Sequence, residues 1–374
     1  MQHALISPSA APVWRYCPAS ILMAQAYPEP DTDASKAGTA SHWAVGLLIG
    51  PLKDDDPPTL CVGDADPDGT ILDMEMIDGA YLFANDFSAA VSTATCPRSG
   101  TEQRVNCSVI HALSFGTTDA WLYDETAHRL IIWEYKYGFI RVEPFENWQL
   151  ICYYAGLLKY LDIVHDQDLI VELRVVQPRA PHRLGPIRTW TTTGAELRPY
   201  VNQLHTAAAD AMVSRPEAIT GSHCKYCSGR HACDAALIAG VTLYEAAVVA
   251  LPAELSPEQL GRQLSFVRRA LEHVKSLEAA YSERVRSSIK DRRVVPGWVM
   301  APTTGRENWI KPDEEVKQLG AAYATELTKT TLITPNQARS AGIPDDVLKR
   351  YAERTKSGFV LEPETEKDVE RLLL

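Results

Sequence analysis

The chain has 374 residues, of which 45% are hydrophobic and 23% charged, and this composition predicts one large or two smaller globular domains. Its formal net charge of −11 argues against a protein that coats nucleic acid nonspecifically. No apolar run approaches the roughly 18 residues of a membrane span, and no signal-like leader precedes Ser7, so we expect a cytoplasmic protein.

Helical and strand-like segments alternate through the first 240 residues. Helices are predicted at 7–27 (two short pieces broken at Cys17-Pro18), 34–49, 73–93, 144–161 and 194–212. Strands are predicted at 102–107, 116–123, 129–136, 168–176 and 187–190. Helices that alternate with strands in this way indicate an α/β fold, with a mixed central sheet flanked by helices.

The character of the sequence changes beyond Gly240. Helical stretches surround Leu251-Pro252, and a long amphipathic helix is predicted from Pro257 to about Lys290. The segment Arg293–Trp309 resembles a β-hairpin that turns at Pro302–Gly305, and short helices follow. We therefore predict two domains, 1–240 and a mainly helical C-terminal appendage at 241–374.

Two acidic residues and a lysine are candidates for a catalytic site on neighbouring strands. In the segment IIWEYKYG, Glu134 and Lys136 are two residues apart, so they project from the same face of a strand. Asp119 lies in the preceding strand, and a turn near 124–127 would bring it beside Glu134. Two converging carboxylates repel unless one keeps its proton or a cation lies between them. Mg²⁺ prefers oxygen ligands, and a lysine beside it suits metal-assisted hydrolysis of a phosphodiester.

These residues resemble the signature of the PD-(D/E)xK nucleases, and the resemblance covers further motifs in the same order. Gly38–His42 (GTASH) resembles the GxxxH element of RecB-type nucleases. Gln149 and Tyr153 resemble the QxxxY element that follows the lysine strand, and they share one helix face. The chain as a whole resembles a phage-associated branch of these nucleases.

The resemblance implies a restriction-endonuclease-like core and an exonuclease that acts on DNA ends in phage replication or recombination. It implies that Mg²⁺ or Mn²⁺ is bound by the side chains of His42, Asp119 and Glu134 and by the backbone carbonyl of Tyr135. It further implies that Lys136 orients or activates water. Gln149 and Tyr153 would then position the substrate.

Three cysteines, Cys224, Cys227 and Cys233, have the close spacing CxxCx₅C that is typical of a metal or cluster site. RecB-type nucleases of the AddB and CRISPR-adaptation kinds share this arrangement, with a fourth cysteine ahead of the histidine. Cys17 occupies that place here, and the resemblance implies a structural 4Fe-4S cluster. A four-cysteine zinc site is the alternative, because spacing does not determine the metal.

Two further segments allow more than one interpretation. Residues Asp64–Glu75 fit the EF-hand calcium pattern, but the prolines before and within the loop favour a solvated acidic turn that starts a helix. Arg179, in a Pro-rich connection after a strand, and Arg141, just past the lysine strand, are candidates for contacts with a DNA backbone. A solvated loop explains both arginines equally well.

Two alternatives to a nuclease remain open at this stage. One is a catalytically silent module that binds DNA ends or a partner and keeps the fold. The other is a structural cysteine-cluster protein in which Glu134 and Lys136 have no chemical role. A partner protein of recombination and a homo-oligomer are both compatible with the sequence.

Overall fold

The structure is a computed structural model that describes residues 4–29, 32–50, 59–248, 255–323, 325, 327 and 334–363. The chain divides into two compact units, Met1–Leu277 and Glu278–Leu374. The boundary near residue 240, which we predict from the change in sequence character, stays a prediction. Within the described residues, no helix has both the length and the apolar character needed to cross a bilayer.

Eleven α-helices and seven strands are assigned within the described part of the chain. The helices are α1 Ala11–Trp14, α2 Ser20–Ala26, α3 Asp33–Ile49, α4 Met74–Thr93, α5 Trp148–Tyr160, α6 Gly194–Ala211, α7 Asp234–Val248, α8 Pro257–Lys290, α9 Asp313–Ala322, α10 Pro335–Ser340 and α11 Asp345–Leu348. The strands are β1 Pro97–Asn106, β2 Phe115–Asp124, β3 Arg129–Tyr135, β4 Ile170–Val176, β5 Ile187–Thr193, β6 Trp298–Trp309 and β7 Ala352–Pro363.

The first unit contains a five-stranded sheet in the order β1-β2-β3-β4-β5. Neighbouring strands are antiparallel except β3 and β4, which are parallel and are connected through α5. A parallel pair needs such a crossover, whereas β2 and β3 are joined by a tight turn. The predicted α/β class with a mixed sheet is therefore confirmed.

Helices cover both faces of the sheet, and the sequence of β3 shows why. Leu130 and Ile132 lie in a core with α5 and α6, whereas Ile131 and Trp133 lie in a core with α3 and α4. Side chains alternate along a strand, so a strand that is covered on both faces has a continuous apolar run. Where this run ends, Glu134 follows on the α5 face.

Polar caps fix where the helices next to the sheet begin. Thr32 and Ser35 form a reciprocal capping box at α3, and Asp73 caps α4. The predicted helix at 144–161 begins later than expected, at Trp148, because the side chain of Asn147 accepts the N–H of Leu150. Pro144 lies in the preceding loop, so its prediction as the helix start was wrong.

The second unit contains β6 and β7, which pair antiparallel in a two-stranded sheet. The predicted hairpin at Arg293–Trp309 was wrong, because β6 continues through Pro302–Gly305 and pairs with a strand more than forty residues away. Those turn-forming residues coincide with a register shift in the ladder. Helix α8 has the predicted bounds, whereas Leu251-Pro252 lies outside the described residues.

Candidate metal site and cysteine cluster

Strands β2 and β3 bring Asp119 and Glu134 together, as the sequence predicts. The register pairs Ala120 with Trp133, so one further step sets Asp119 opposite Glu134. The N–H of Tyr135 donates to Asp119 Oδ2 at 2.6 Å, which fixes the orientation of that carboxylate. Both acidic residues are buried, and burial raises the pKa of Asp119 to about 6.

His42 reaches the same carboxylate from helix α3. Its Nδ1 lies 3.7 Å from Asp119 Oδ1, and its ring packs edge-on against the ring of Tyr135. The hydroxyl of Tyr135 hydrogen-bonds the hydroxyl of Ser41, which helps to hold the helix against the strand. Burial lowers the pKa of His42 to about 4, so the imidazole is neutral at pH 7 and can offer a lone pair to a metal.

Glu102 is a site residue that the sequence did not reveal. The register of β1 and β2 sets Glu102 opposite Asp119, and Glu102 has a left-handed φ of 46°. A non-glycine residue in this region is uncommon, and such conformations are enriched at functional sites. Glu102 is exposed on its outer side, but one ligand atom from each of Glu102, His42 and Asp119 lies within 4.8 Å of the others. Partial burial and the charges of Asp119 and Glu134 raise the pKa of Glu102 to about 7.

Lys136 and Gln149 hold one oxygen of Glu134. Lys136 Nζ lies 2.6 Å from Glu134 Oε1 and donates to Gln149 Oε1 at 3.2 Å. Gln149 Nε2 donates to the same Glu134 oxygen at 2.8 Å and to the hydroxyl of Tyr153 at 3.2 Å. Burial works to lower the pKa of Lys136, but Glu134 outweighs burial and raises that pKa, so the amine is charged.

The second oxygen of Glu134, Oε2, is buried and accepts no hydrogen bond from any residue that the structure describes. A buried carboxylate oxygen without a partner is costly, unless a cation or a donor binds it. The ligand atoms that lie within 4.8 Å of one another come from the neutral imidazole of His42 and the carboxylates of Glu102 and Asp119, and Glu134 is outside this group of described residues. An imidazole nitrogen and carboxylate oxygens form the hard donor set that Mg²⁺ or Mn²⁺ prefers. The residues present therefore fit a divalent cation.

The two arginines predicted to contact substrate lie on loops next to this site. Arg179 follows β4, pairs with Glu75 and stacks its guanidinium on Phe139, 3.8 Å from the ring centre. Arg141 follows β3 and donates to the carbonyl of Pro181 at 3.2 Å. No direct bond from either arginine to Asp119 or Glu134 is found within the described residues.

The four predicted cysteines meet at one place in the first unit, around a small cavity of about 20 Å³. Cys17 enters it from the connection between α1 and α2, and Cys224, Cys227 and Cys233 enter from the segment before α7. His223 hydrogen-bonds Cys17, which raises the pKa of the imidazole, and Tyr16 stacks on its ring. Four thiols around one small cavity fit a metal or cluster site.

The other four cysteines are separate from this cavity. Cys61 and Cys96 are exposed single thiols. Cys107 and Cys152 are buried in the core beside α5, and burial raises the pKa of Cys107 to about 12. A buried, protonated thiol behaves as a small apolar residue.

The acidic loop that fits the calcium pattern uses its carboxylates for internal bonds. Asp64 accepts the N–H of Cys61, and Asp66 accepts the N–H groups of Asp68 and Thr70. Asp73 caps α4, and Glu75 pairs with Arg179. The loop is therefore an acidic turn that leads into a helix, as the prolines favoured.

A family model described as a protein of unknown function (DUF2800) matches residues 3–368. The match extends through both compact units, so it reflects the whole chain and is not limited to the carboxylate site. The chain therefore belongs to the DUF2800 family.

Proposed function

We propose that the protein is a metal-dependent DNA nuclease that hydrolyses phosphodiesters at DNA ends, in phage replication or recombination. The observation that carries the proposal is the cluster of His42, Glu102 and Asp119, next to the paired strand on which Lys136 is bonded to Glu134. Glu134 Oε2, which has no hydrogen-bond partner in the described part of the chain, adds a buried oxygen that a cation would satisfy. The resemblance of these motifs to the RecB-type PD-(D/E)xK nucleases supports the same conclusion.

His42, Asp119, Glu134 and the carbonyl of Tyr135, together with Glu102, would hold Mg²⁺ or Mn²⁺ in this nuclease. A bound divalent cation supplies Lewis-acid polarisation of the phosphate and lowers the pKa of water. The N–H of Tyr135 keeps Asp119 in a fixed orientation, so little reorganisation is needed when substrate binds.

Lys136 acts as a cation in this scheme, because Glu134 keeps its amine protonated. A fixed positive charge beside the scissile phosphate neutralises the negative charge that develops during attack by water. Gln149 and Tyr153 form a chain of hydrogen bonds that positions Glu134, so they support the site from α5. The raised pKa of Lys136 supports our assignment of charge neutralisation to Lys136, in place of proton abstraction.

We propose that the four cysteines hold a 4Fe-4S cluster, as the resemblance implies, with a zinc ion as the alternative. Within the described residues, no three of the four sulfur atoms lie within 4.8 Å of one another. Four thiolates around one tetrahedral zinc are only about 3.8 Å apart, given Zn–S bonds of about 2.3 Å. In a 4Fe-4S cluster each thiolate binds a different iron, so the sulfur atoms are further apart.

Digestion of end-labelled linear DNA tests the activity. With Mg²⁺ or Mn²⁺, we expect the protein to shorten single- or double-stranded DNA from its ends, and we expect Glu134→Ala to abolish the reaction. The protein is purified without oxygen so that loss of a cluster does not mimic an inactive site. A folded, metal-loaded protein that binds DNA ends without cutting them would contradict the proposal and favour a binding module.

Binding of Mn²⁺ without DNA is expected to be tighter at pH 8 than at pH 6. The raised pKa values of Asp119, about 6, and Glu102, about 7, mean that protons compete with a cation at pH 6. These protons are largely released by pH 8, so the competition falls as the pH rises. Isothermal titration calorimetry at the two pH values measures the difference.

Glu102→Gln measures the contribution of Glu102 to Mn²⁺ affinity separately from the contributions of the other ligands. We expect this variant to bind Mn²⁺ more weakly at pH 8 and to show a smaller pH effect, because one titrating carboxylate is gone. Glu125→Gln, at an exposed position in the turn between β2 and β3, is the matched control. Equal affinities at pH 6 and pH 8 in the unmodified protein would contradict the metal site as described.

A further inference from the structure

Three exposed apolar side chains lie on the two loops that follow β3 and β4, the strands that run parallel beside Glu134. We name this set the apolar platform: Phe139, Ile140 and Leu184. They are 66%, 68% and 68% exposed, respectively. Phe139 and Ile140 lie in the loop 138–147 between β3 and α5, and Leu184 lies in the loop 178–186 between β4 and β5. Arg141 connects the two loops by its bond to the carbonyl of Pro181. Grouped exposed apolar residues of this size indicate a binding surface.

The backbone beneath the apolar platform is held rigidly by Gln177. Gln177 is fully buried, and its Nε2 donates to the carbonyls of Gly138 and Ile140 at 2.8 and 2.7 Å. Its Oε1 accepts the N–H of Val142 and a guanidinium N–H of the buried Arg188. One side chain therefore fixes three residues of the loop around Phe139. The exposed side chains are displayed in a fixed position, which lowers the entropic cost of binding.

Cations lie beside the apolar side chains, although the protein as a whole is acidic. The guanidinium of Arg179 stacks on Phe139 at 3.8 Å and on Tyr137 at 4.5 Å. Glu75 neutralises part of its charge. Arg141 is exposed and lies 3.9 Å from Glu143, and Arg183 is exposed. Aromatic groups interleaved with cations suit single-stranded nucleic acid, because bases stack on rings and phosphates pair with arginine.

Phe139 of the apolar platform is close in the chain to the proposed catalytic site. Phe139 is three residues beyond Lys136, so their Cα atoms are at most about 11 Å apart. Stacked nucleotides are about 3.4 Å apart along a strand. A strand with a phosphate at Lys136 therefore reaches Phe139 within about three nucleotides.

From this arrangement we propose that the apolar platform stacks the unpaired bases of a DNA strand whose backbone lies at the carboxylate site. The inference rests on the proposed nuclease function and specifies its substrate as a DNA end with unpaired bases. Arg179 covers one side of the Phe139 ring, and a base stacks on the open side. Gln177 is a positioning residue for this surface.

Fluorescence of a single strand with one terminal 2-aminopurine tests stacking, since stacking quenches this base. The strand is thymidine-rich and carries the 2-aminopurine at either its 5′ or its 3′ end. Ca²⁺ replaces Mg²⁺ so that the strand is not cut, and recovery of the intact strand confirms this. We expect the unmodified protein to quench one of the two labels. Phe139→Ala should lose that quenching and bind about tenfold more weakly. Phe139→Tyr keeps the ring and should retain both properties.

Tyr160→Ala is the matched control, because Tyr160 is a 49%-exposed aromatic residue at the far end of α5. Quenching lost in Phe139→Ala and kept in Tyr160→Ala supports the inference. Equal behaviour of the two alanine variants overturns it, whether both bind fully or both lose binding. Hydrolysis of the same strand with Mn²⁺ is measured separately. Stacking at Phe139 without hydrolysis would overturn the nuclease function and leave the strand-binding surface established.

Discussion

Lys136→Met is expected to reduce metal-dependent DNA hydrolysis by about 10²- to 10³-fold, the loss typical when one charge-stabilising donor is removed from an active site. Methionine keeps the length and the apolar stem of the side chain and removes only its charge. Lys136 is partly buried against Glu134 and Gln149, so a neutral chain of similar shape can remain in place. Single-turnover hydrolysis of end-labelled DNA with saturating Mn²⁺ measures the chemical step alone.

The same variant is expected to bind Mn²⁺ as tightly as the unmodified protein, or more tightly. The amine of Lys136 bonds Glu134 Oε1 at 2.6 Å, so it competes with a cation for that carboxylate. Removing one positive charge makes the site more negative and strengthens its attraction for a divalent ion. The rate of hydrolysis should therefore fall while the affinity for Mn²⁺ is kept or rises. A misfolded variant would lose both.

Lys159→Met is the control for this substitution. Lys159 lies on α5, near the end away from Gln149, and bonds the hydroxyl of Ser108 at 2.8 Å. We expect this variant to keep both hydrolysis and Mn²⁺ affinity. If Lys136→Met lost activity and metal binding together, Lys136 would serve to hold Glu134 in place. Full activity in Lys136→Met would remove it from the proposed chemistry.

The first unit could be predicted closely from the sequence because its signals are local. The apolar run before Glu134 predicts a strand covered on both faces, and the spacing of apolar residues after it predicts α5. Asp119 and Glu134 lie on strands joined by a short turn, so their sequence positions nearly determine their register. His42 is different, because only the resemblance to known nucleases connects α3 with these strands.

Features that depend on distant pairing could not be predicted in the same way. Glu102 lies in a mostly polar strand, and nothing in its neighbourhood indicates that β1 places it opposite Asp119. Likewise, Pro302–Gly305 has the composition of a turn, although β6 continues through it to pair with β7. Propensity describes short segments, and tertiary pairing overrides it when the partner strand is far away in the chain.

Cys17→Ser is expected to remove the cluster and to destabilise the N-terminal part of the first unit. A group that binds Cys17 together with Cys224 closes a loop of about 200 residues, which corresponds to about 5 kcal/mol of loop-closure free energy in the chain-entropy model. Packing of Trp14 and the bond from Ala19 N–H to Glu217 O would remain, so the measured loss should be smaller. Thermal unfolding and limited proteolysis of the first 30 residues measure the effect.

Cys61→Ser is the matched control, because Cys61 is exposed and lies outside the cavity. The control should keep about four irons and four inorganic sulfides per chain, together with the visible absorbance of an iron–sulfur cluster, whereas Cys17→Ser should lose them. One zinc per chain in the control would contradict the cluster, despite the separation of the sulfur atoms. If Cys17→Ser lost the cluster but kept its stability, α1 and α2 would be held by packing alone. The cluster would then not serve to connect the N-terminal helices to the segment that contains Cys224.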